Sequence, residues 1–573
     1  MCYAEVILPL RLAWCPVYRV RDELRDSLKP GDRVRVPMGG KSVDGVVART
    51  GVEAPIDPGR IQELEGLSEG LPAITPQELE LWDFIADYYL CTPGEVLKSA
   101  YPAGRVRSEK AASNARKRAL KKQKELPAEE TVASPACEYA KSGPLPKPSA
   151  PLLVKGSPAS RYELYRSLAA GQLAEGRSVM LFVPEISLTG SLEARLREDF
   201  GERLLVFHSK ETPVERRRIS DRVREGGPLI IVGTRSAIFL PFRDLSLIIV
   251  DEEQDRSYKQ ESPAPRYNAR DCASILARIH GASLVLGARY PSLESLYNCA
   301  RGRFTLRELP QDQVRTSERL RIIDTVAEKR KRGMNGQFSI KLIEEIRDAL
   351  EAGRKVYLIR LWGDLAPTIE ETRALFPDVT VGQDDSPITV STLALTRNLV
   401  FEEGSLVAML SADPIFGARD FRSDERALQL LGRYLDNCPN GRFIIQTGRS
   451  QHPLFQSLAE DRDPSPTLLE DRRAFGYPPY SRITDIIFRD PSPARSGKLS
   501  RELAASLGSL ASSSNGLRIE GPFPGAEAET VIRVLISRGP QLADAKRELE
   551  RSVSAFESEK KYRGFIRIDV DPE

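Results

Sequence analysis

The middle of the chain is built from short apolar runs separated by stretches of helical period. SVMLFVPE (178–185), RLLVFHS (203–209), PLIIVGT (228–234), LSLIIVDEE (245–253) and SLVLGA (283–288) are rich in β-branched residues and end in polar residues or glycine. Helical stretches such as 162–175 and 190–200 lie between them. Near-continuous apolar strands alternating with helices predict a parallel sheet covered on both faces. The style repeats more weakly in KVYLIR (355–360), ITVST (388–392), SLVAML (405–410) and RFIIQT (442–447), which predicts a second α/β lobe. Both ends of the chain differ from this pattern. YAEVILPL (3–10) and the alternating DRVRVPM (32–38) predict a β-rich N-terminal unit with a turn at Gly39-Gly40. After it, Leu79, Trp82, Ile85, Ala86 and Tyr89 recur at helical spacing, and Pro93-Gly94 is expected to end that helix. ITDIIFR (483–489), TVIRVLIS (530–537) and FIRIDVD (565–571) surround a helical stretch at 541–556, an α+β pattern. The expected domains are therefore 1–102, a linker at 103–150, lobes at 151–310 and 311–455, and a C-terminal domain at 456–573.

Composition excludes some classes. With 84 Lys+Arg against 81 Asp+Glu the chain is nearly balanced, so it is not a uniformly basic nucleic-acid binder, although a local basic patch remains open. One such run exists: residues 103–126 carry nine Lys or Arg against Glu109 and Glu125. It reads either as a solvated linker or as a basic arm that holds phosphates by counterion release. The seven cysteines form no CxxC pair and there are only three histidines, so no zinc site and no disulfide framework is expected. No apolar run is long enough for a membrane span, and the simplest expectation is a cytoplasmic protein.

Chemistry enters at Asp251-Glu252, which end an apolar strand where α/β sheets place their ligands. In nucleotide-hydrolysing lobes such an Asp holds Mg²⁺ and the Glu orients water, whereas a charge pair at a helix start explains the dipeptide equally well. Around it, FVPEISLT (182–189), VFHS (206–209), VGTRSAIFLPF (232–242), IVDEEQDRSYKQESPAPRYNARD (249–271) and PSLES (291–295) follow in order. This series resembles the primosomal replication-restart helicases, a DExH family of helicase superfamily 2. DFRSDERALQLL (420–431), FIIQTGRSQHPLFQ (443–456) and RRAFGYPPYSR (472–482) extend the resemblance over nearly the whole chain. It implies two tandem RecA-like helicase lobes, an N-terminal domain that engages the 3′ end of a nascent strand, and DNA forks or single strands as partners. Single-strand-binding protein and primosome or helicase-loading proteins are partners implied by resemblance alone.

The chain departs from the family where the motor chemistry belongs. A phosphate loop needs glycines, a Lys and a Ser or Thr. In LLVKGSPASRYELY (152–165), Lys155, Pro158 and Ser160 fall where glycines belong, Arg161 takes the Lys position and Tyr162 the Thr position. Gln254 replaces the family's His, and GARYPS (287–292) replaces GSATPS. RLWG (360–363) and STLALTRN (391–398) replace two motifs of the second lobe. The block that supplies arginine fingers is unrecognisable at 432–441, where Arg433 or Arg442 is left to stand in. The zinc-binding cysteines have no counterpart after Gly363, and the linker replaces a winged-helix domain. The family's Phe-Asp pair of the 3′-end pocket falls on Pro16-Val17.

What remains for function is DNA binding. The segment 255–271 interleaves Tyr258, Lys259, Arg266, Tyr267 and Arg270, a pattern in which rings stack on unpaired bases and cations meet phosphates. A polar loop with its tyrosines packed inward has the same composition. Thr234 and Arg235 are expected to face the same groove, and Arg33, Arg35 and Lys41 add positive charge to the N-terminal unit. The reading is a DNA-binding replication-restart protein without ATP-hydrolysis motifs, and with no resident cofactor. One alternative is an ATP-dependent 3′–5′ DNA helicase with an unorthodox nucleotide site at Arg161, Asp251 and Glu252, to which ATP and Mg²⁺ belong. Another is a protein-only primosome adaptor.

Overall fold

The computed structural model describes residues 2–12, 14–102, 150–185, 190–208, 211–310, 316–383, 386–396, 399–417, 420–490, 492–513, 516–525, 529–560 and 566–573. The expected basic run and linker at 103–149 lie outside the described residues.

The N-terminal strands form a five-stranded antiparallel sheet in the order Val17–Val20, Cys2–Ile7, Lys41–Thr50, Arg33–Met38, Gly66–Leu67. The single helix expected after it is two, Pro76–Tyr88 and Pro93–Ala100, separated by Leu90 at φ 52°. Pro93 starts the second helix rather than ending the first, because its missing N–H would be unbonded in a first turn anyway. Each helix opens with Thr-Pro-x-Glu. The Thr75 and Thr92 hydroxyls accept from the amides of Glu78 and Glu95, whose carboxylates accept from the Thr amides in return.

Seven strands of the next unit are all parallel, in the order Thr305–Glu308, Leu152–Lys155, Ser283–Ala288, Leu245–Asp251, Ser178–Phe182, Ile230–Gly233, Leu204–Phe207. Every residue of Ser178–Phe182 and Ile230–Gly233 is buried, as two-sided helix cover requires. A second parallel sheet of six strands runs Leu320–Asp324, Arg442–Thr447, Leu406–Met409, Val356–Arg360, Ile388–Thr392, Val381–Gly382. These two sheets are RecA-like lobes. The C-terminal unit is a β-α-β-β-α-β element whose antiparallel sheet is ordered Leu517–Pro524, Glu529–Ser537, Ser481–Arg489, Ile566–Val570. Leu503, Leu507, Leu549 and Val553 of its two helices pack on Ile486, Ile532 and Val534 of that sheet. Among the described residues no helix is long and apolar enough to cross a membrane.

The two capping boxes make a direct prediction. Thr75→Ala and Thr92→Ala should each destabilise the N-terminal unit by about 1 kcal/mol. The measurement is the urea midpoint followed by tryptophan fluorescence, to which Trp82 contributes from a core that these helices share with the first lobe.

Candidate functional site

Parallel strands bring their carboxyl ends to one edge of the sheet. Register places Asp251 beside Gly287, and Ala288 beside Lys155. Strand Leu245–Asp251 is apolar from Leu247 to Val250 before its last residue, and Glu252 turns the chain at φ 49°. Helix Pro158–Ala174 starts just past Leu152–Lys155, with Ser157 as its cap, and carries Arg161 and Tyr165 back over this edge.

Arg161 is 1% exposed and lies against both carboxylates. Its Nε donates to Asp251 Oδ1 at 2.9 Å, one Nη donates to Glu252 Oε1, and the other to the Gly156 carbonyl at 2.8 Å. Tyr165 donates a further hydrogen bond to Asp251 Oδ1 at 2.9 Å, and Tyr258 donates to the Asp251 carbonyl at 2.6 Å. The Gln254 amide holds the other oxygen of Glu252 at 2.7 Å. Gly287 makes room for this cluster: a Cβ there would lie 1.6 Å from the Tyr165 hydroxyl and 3.1 Å from Arg161 Cδ. Burial works against the charge on Arg161, but Asp251 and Glu252 outweigh it and hold the guanidinium firmly protonated. Burial likewise opposes ionisation of Glu252, yet Arg161 and Arg433 bring its carboxyl below the ordinary range. At Asp251 burial prevails over Arg161 and moves the carboxyl up.

The other sequence candidates separate into buried and exposed sets. Tyr258 and Tyr267 are each 1% exposed, so the rings expected to stack on bases are core side chains here. Tyr267 packs edge-on against Phe239, and its hydroxyl donates to the Arg235 carbonyl at 3.3 Å. The candidate cations Lys259, Arg266 and Arg270 of the same segment are used internally too, whereas Arg256 is exposed. Lys259 donates to the Val570 carbonyl at 2.6 Å and pairs with Asp569 at 2.8 Å, while Arg266 donates to the Ile568 carbonyl at 3.1 Å. Arg270 pairs with Asp271 at 2.8 Å and Glu253 at 3.3 Å. The segment is thus a cross-link between the first lobe and the C-terminal strand. Thr234 is buried at the end of strand Ile230–Gly233, and Arg235 is half-buried and donates to the Ser257 carbonyl at 3.0 Å. Arg33, expected at the surface by strand alternation, is buried with its guanidinium 4.3 Å from the centre of the Tyr101 ring. Arg35 and Lys41 are exposed, on a strand and next to the Gly39-Gly40 turn, and Arg35 lies 3.6 Å from Asp44.

Two residues left to stand in as arginine fingers lie far apart. Arg442 opens its strand at the edge of the second sheet opposite the cleft, where it pairs with Glu345 at 2.9 Å. Arg433 reaches the cleft and donates to Asp255 Oδ2 at 2.6 Å, with Glu252 Oε2 at 3.8 Å. Sequence reasoning missed Tyr165, Asp255 and the buried Glu253, which accepts from the Ser292 amide at 2.6 Å and from the Ser292 and Ser295 hydroxyls. The spacing of Arg161 and Tyr165, four apart on one helix face, is the signal that points to Tyr165.

Removing Arg161 takes a buried cation away from two half-buried carboxylates, so the cost falls below the roughly 3–5 kcal/mol of breaking a fully buried pair. Arg161→Ala should therefore lower the urea midpoint of the full chain, and adding Asp251→Asn should restore part of the loss. Equal stability of Arg161→Ala and the parent chain sinks this account.

Comparison with known proteins gives two family matches. Residues 5–102 match the 3′ DNA-binding domain of PriA, and residues 473–573 match the primosomal protein N C-terminal domain. The whole chain is similar to Replication restart protein PriA of Rickettsia felis, 25% identical and covering 100% of this chain and 99% of the relative. That alignment runs over 676 positions, longer than the 573 residues here, so the relative carries stretches this chain lacks. Replication restart protein PriA of Chlamydia trachomatis is 36% identical over 197 residues, 34% of this chain and 26% of the relative. Among solved structures, RecG bound to a three-way DNA junction superposes with TM-score 0.37 at 13% identity, covering 69% of this chain and 52% of that one. With two domain matches at its ends and relatives aligned through its lobes, the chain is similar along its whole length to replication restart protein PriA.

Proposed function

We propose that this chain is a replication-restart protein that binds DNA and does not hydrolyse ATP. The observation that carries this reading is Arg161, whose guanidinium satisfies the two carboxylates that a magnesium–nucleotide complex would use. Magnesium and nucleotide match the surrounding residues poorly. Pro158 has no N–H, and the amides of Gly156, Ser160 and Arg161 are bonded to Ala288, Ser157 Oγ and the Ser157 carbonyl. The Tyr162 hydroxyl, at the position of a metal-binding hydroxyl in the family, instead donates to Asp199 at 2.5 Å. No step of phosphoryl transfer is assigned to these residues.

DNA engagement falls to the N-terminal domain, where Arg35 and Lys41 present positive charge on the surface. Protein partners of restart, a single-strand-binding protein and helicase-loading factors, belong to the proposal by family resemblance.

Fork DNA should bind with an affinity that falls steeply with salt and is unchanged by ATP. Arg35→Ala and Lys41→Ala should each weaken binding uniformly across sequences and reduce the salt slope by about 1. The decisive measurement is fork-stimulated ATPase. Turnover above background that Asp251→Asn abolishes restores the helicase alternative, and no fork affinity at moderate salt leaves the protein-only adaptor.

A further inference from the structure

Helix Ser423–Asn437 is buried on two sides. Ala427, Leu428, Leu431, Tyr434 and Leu435 face the core of the second lobe. Glu425, Gly432, Arg433 and Asp436 fall within one other face at 3.6 residues per turn, and that face meets the first lobe. Glu425 accepts from the Leu293 amide at 3.0 Å and from Arg472 at 2.7 Å. Gly432 lies under Tyr290, so closely that a Cβ would be 2.4 Å from the ring. Arg433 pairs with Asp255, and Asp436 accepts from Arg289. Beside the helix, Arg422 meets Glu294 of the first lobe at 3.0 Å. Cation and anion alternate across the seam, and each contact is made by groups of the chain itself. In the same cleft, Arg161 supplies the positive charge between Asp251 and Glu252 from within the first lobe.

We propose that this seam is a latch which holds the two lobes in one closed arrangement without nucleotide, so that the protein offers DNA a platform of fixed shape. The latch rests on the seam geometry alone, and its meaning for DNA rests on the functional reading above. A ligand shifts a conformational equilibrium only through differential affinity for its states. Here the groups that would discriminate between open and closed lobes are already paired with one another. Arg433 reaches from the second lobe to within 3.8 Å of Glu252, and Arg289 reaches from the first lobe to Asp436 of the second.

The test places a donor and an acceptor fluorophore, through non-canonical amino acids, at exposed Val214 in the first lobe and exposed Leu395 in the second of the full chain. Single-molecule energy transfer should show one distance that Mg²⁺ with ATP does not move. Arg289→Ala with Arg433→Ala should broaden it into two or more populations. A nucleotide-dependent shift in the parent chain, or an unbroadened distribution in the double variant, overturns the latch. Where that variant does not fold, Asp436→Asn with Arg433→Gln is read in the same way. Fork binding is measured separately, so a chain that fails to bind DNA but keeps one interlobe distance overturns the functional reading and leaves the latch standing.

Discussion

A buried guanidinium between two carboxylates governs the centre of this molecule. Taking Arg161 out of water is costly, and the pairing with Asp251 and Glu252, with a hydrogen bond to the Gly156 carbonyl, offsets it. That demand fixes much else. The helix carrying Arg161 must start immediately after its strand, residue 287 must be glycine, and Tyr165 must lie one helical turn further on. Glu252 then has one oxygen left for the Gln254 amide and for the approach of Arg433 from the other lobe. The electrostatics of the cleft therefore close within the chain.

The layout was readable from sequence because it depends on local pattern. Fully buried parallel strands need continuous apolar runs, and those runs mark both lobes. The carboxylate pair was readable as well, since it sits at the end of an apolar strand. Other features were not, for specific reasons. Tyr258 and Tyr267 alternate with cations as a DNA-stacking loop would, but the same pattern serves a loop whose rings fill the core and whose cations meet backbone carbonyls. Arg33 alternates with valines like an exposed strand residue, yet Tyr101, some 70 residues on, covers it. The break at Leu90 depends on a positive φ that no periodicity reports. The interlobe seam joins residues more than a hundred positions apart, and no window of sequence contains it.

These departures share a cause. In this chain charge after charge is spent on another side chain or on a carbonyl: Arg161 on Asp251, Arg433 on Asp255, Arg289 on Asp436, Lys259 on Asp569. On the surface of the N-terminal domain, by contrast, Arg35 and Lys41 are turned outward.

The docking of Lys259 and Arg266 on strand Ile566–Val570 ties the heredity of two distant stretches of the gene together. Asp569 cannot drift to an apolar residue while Lys259 stays a buried cation, and Lys259 cannot become neutral without stranding Asp569. The C-terminal domain is for that reason not a detachable appendage that recombination can exchange freely between relatives. Its last strand is a wall of the first lobe, and a graft that replaces it must bring its own partner for a lysine encoded some three hundred residues upstream.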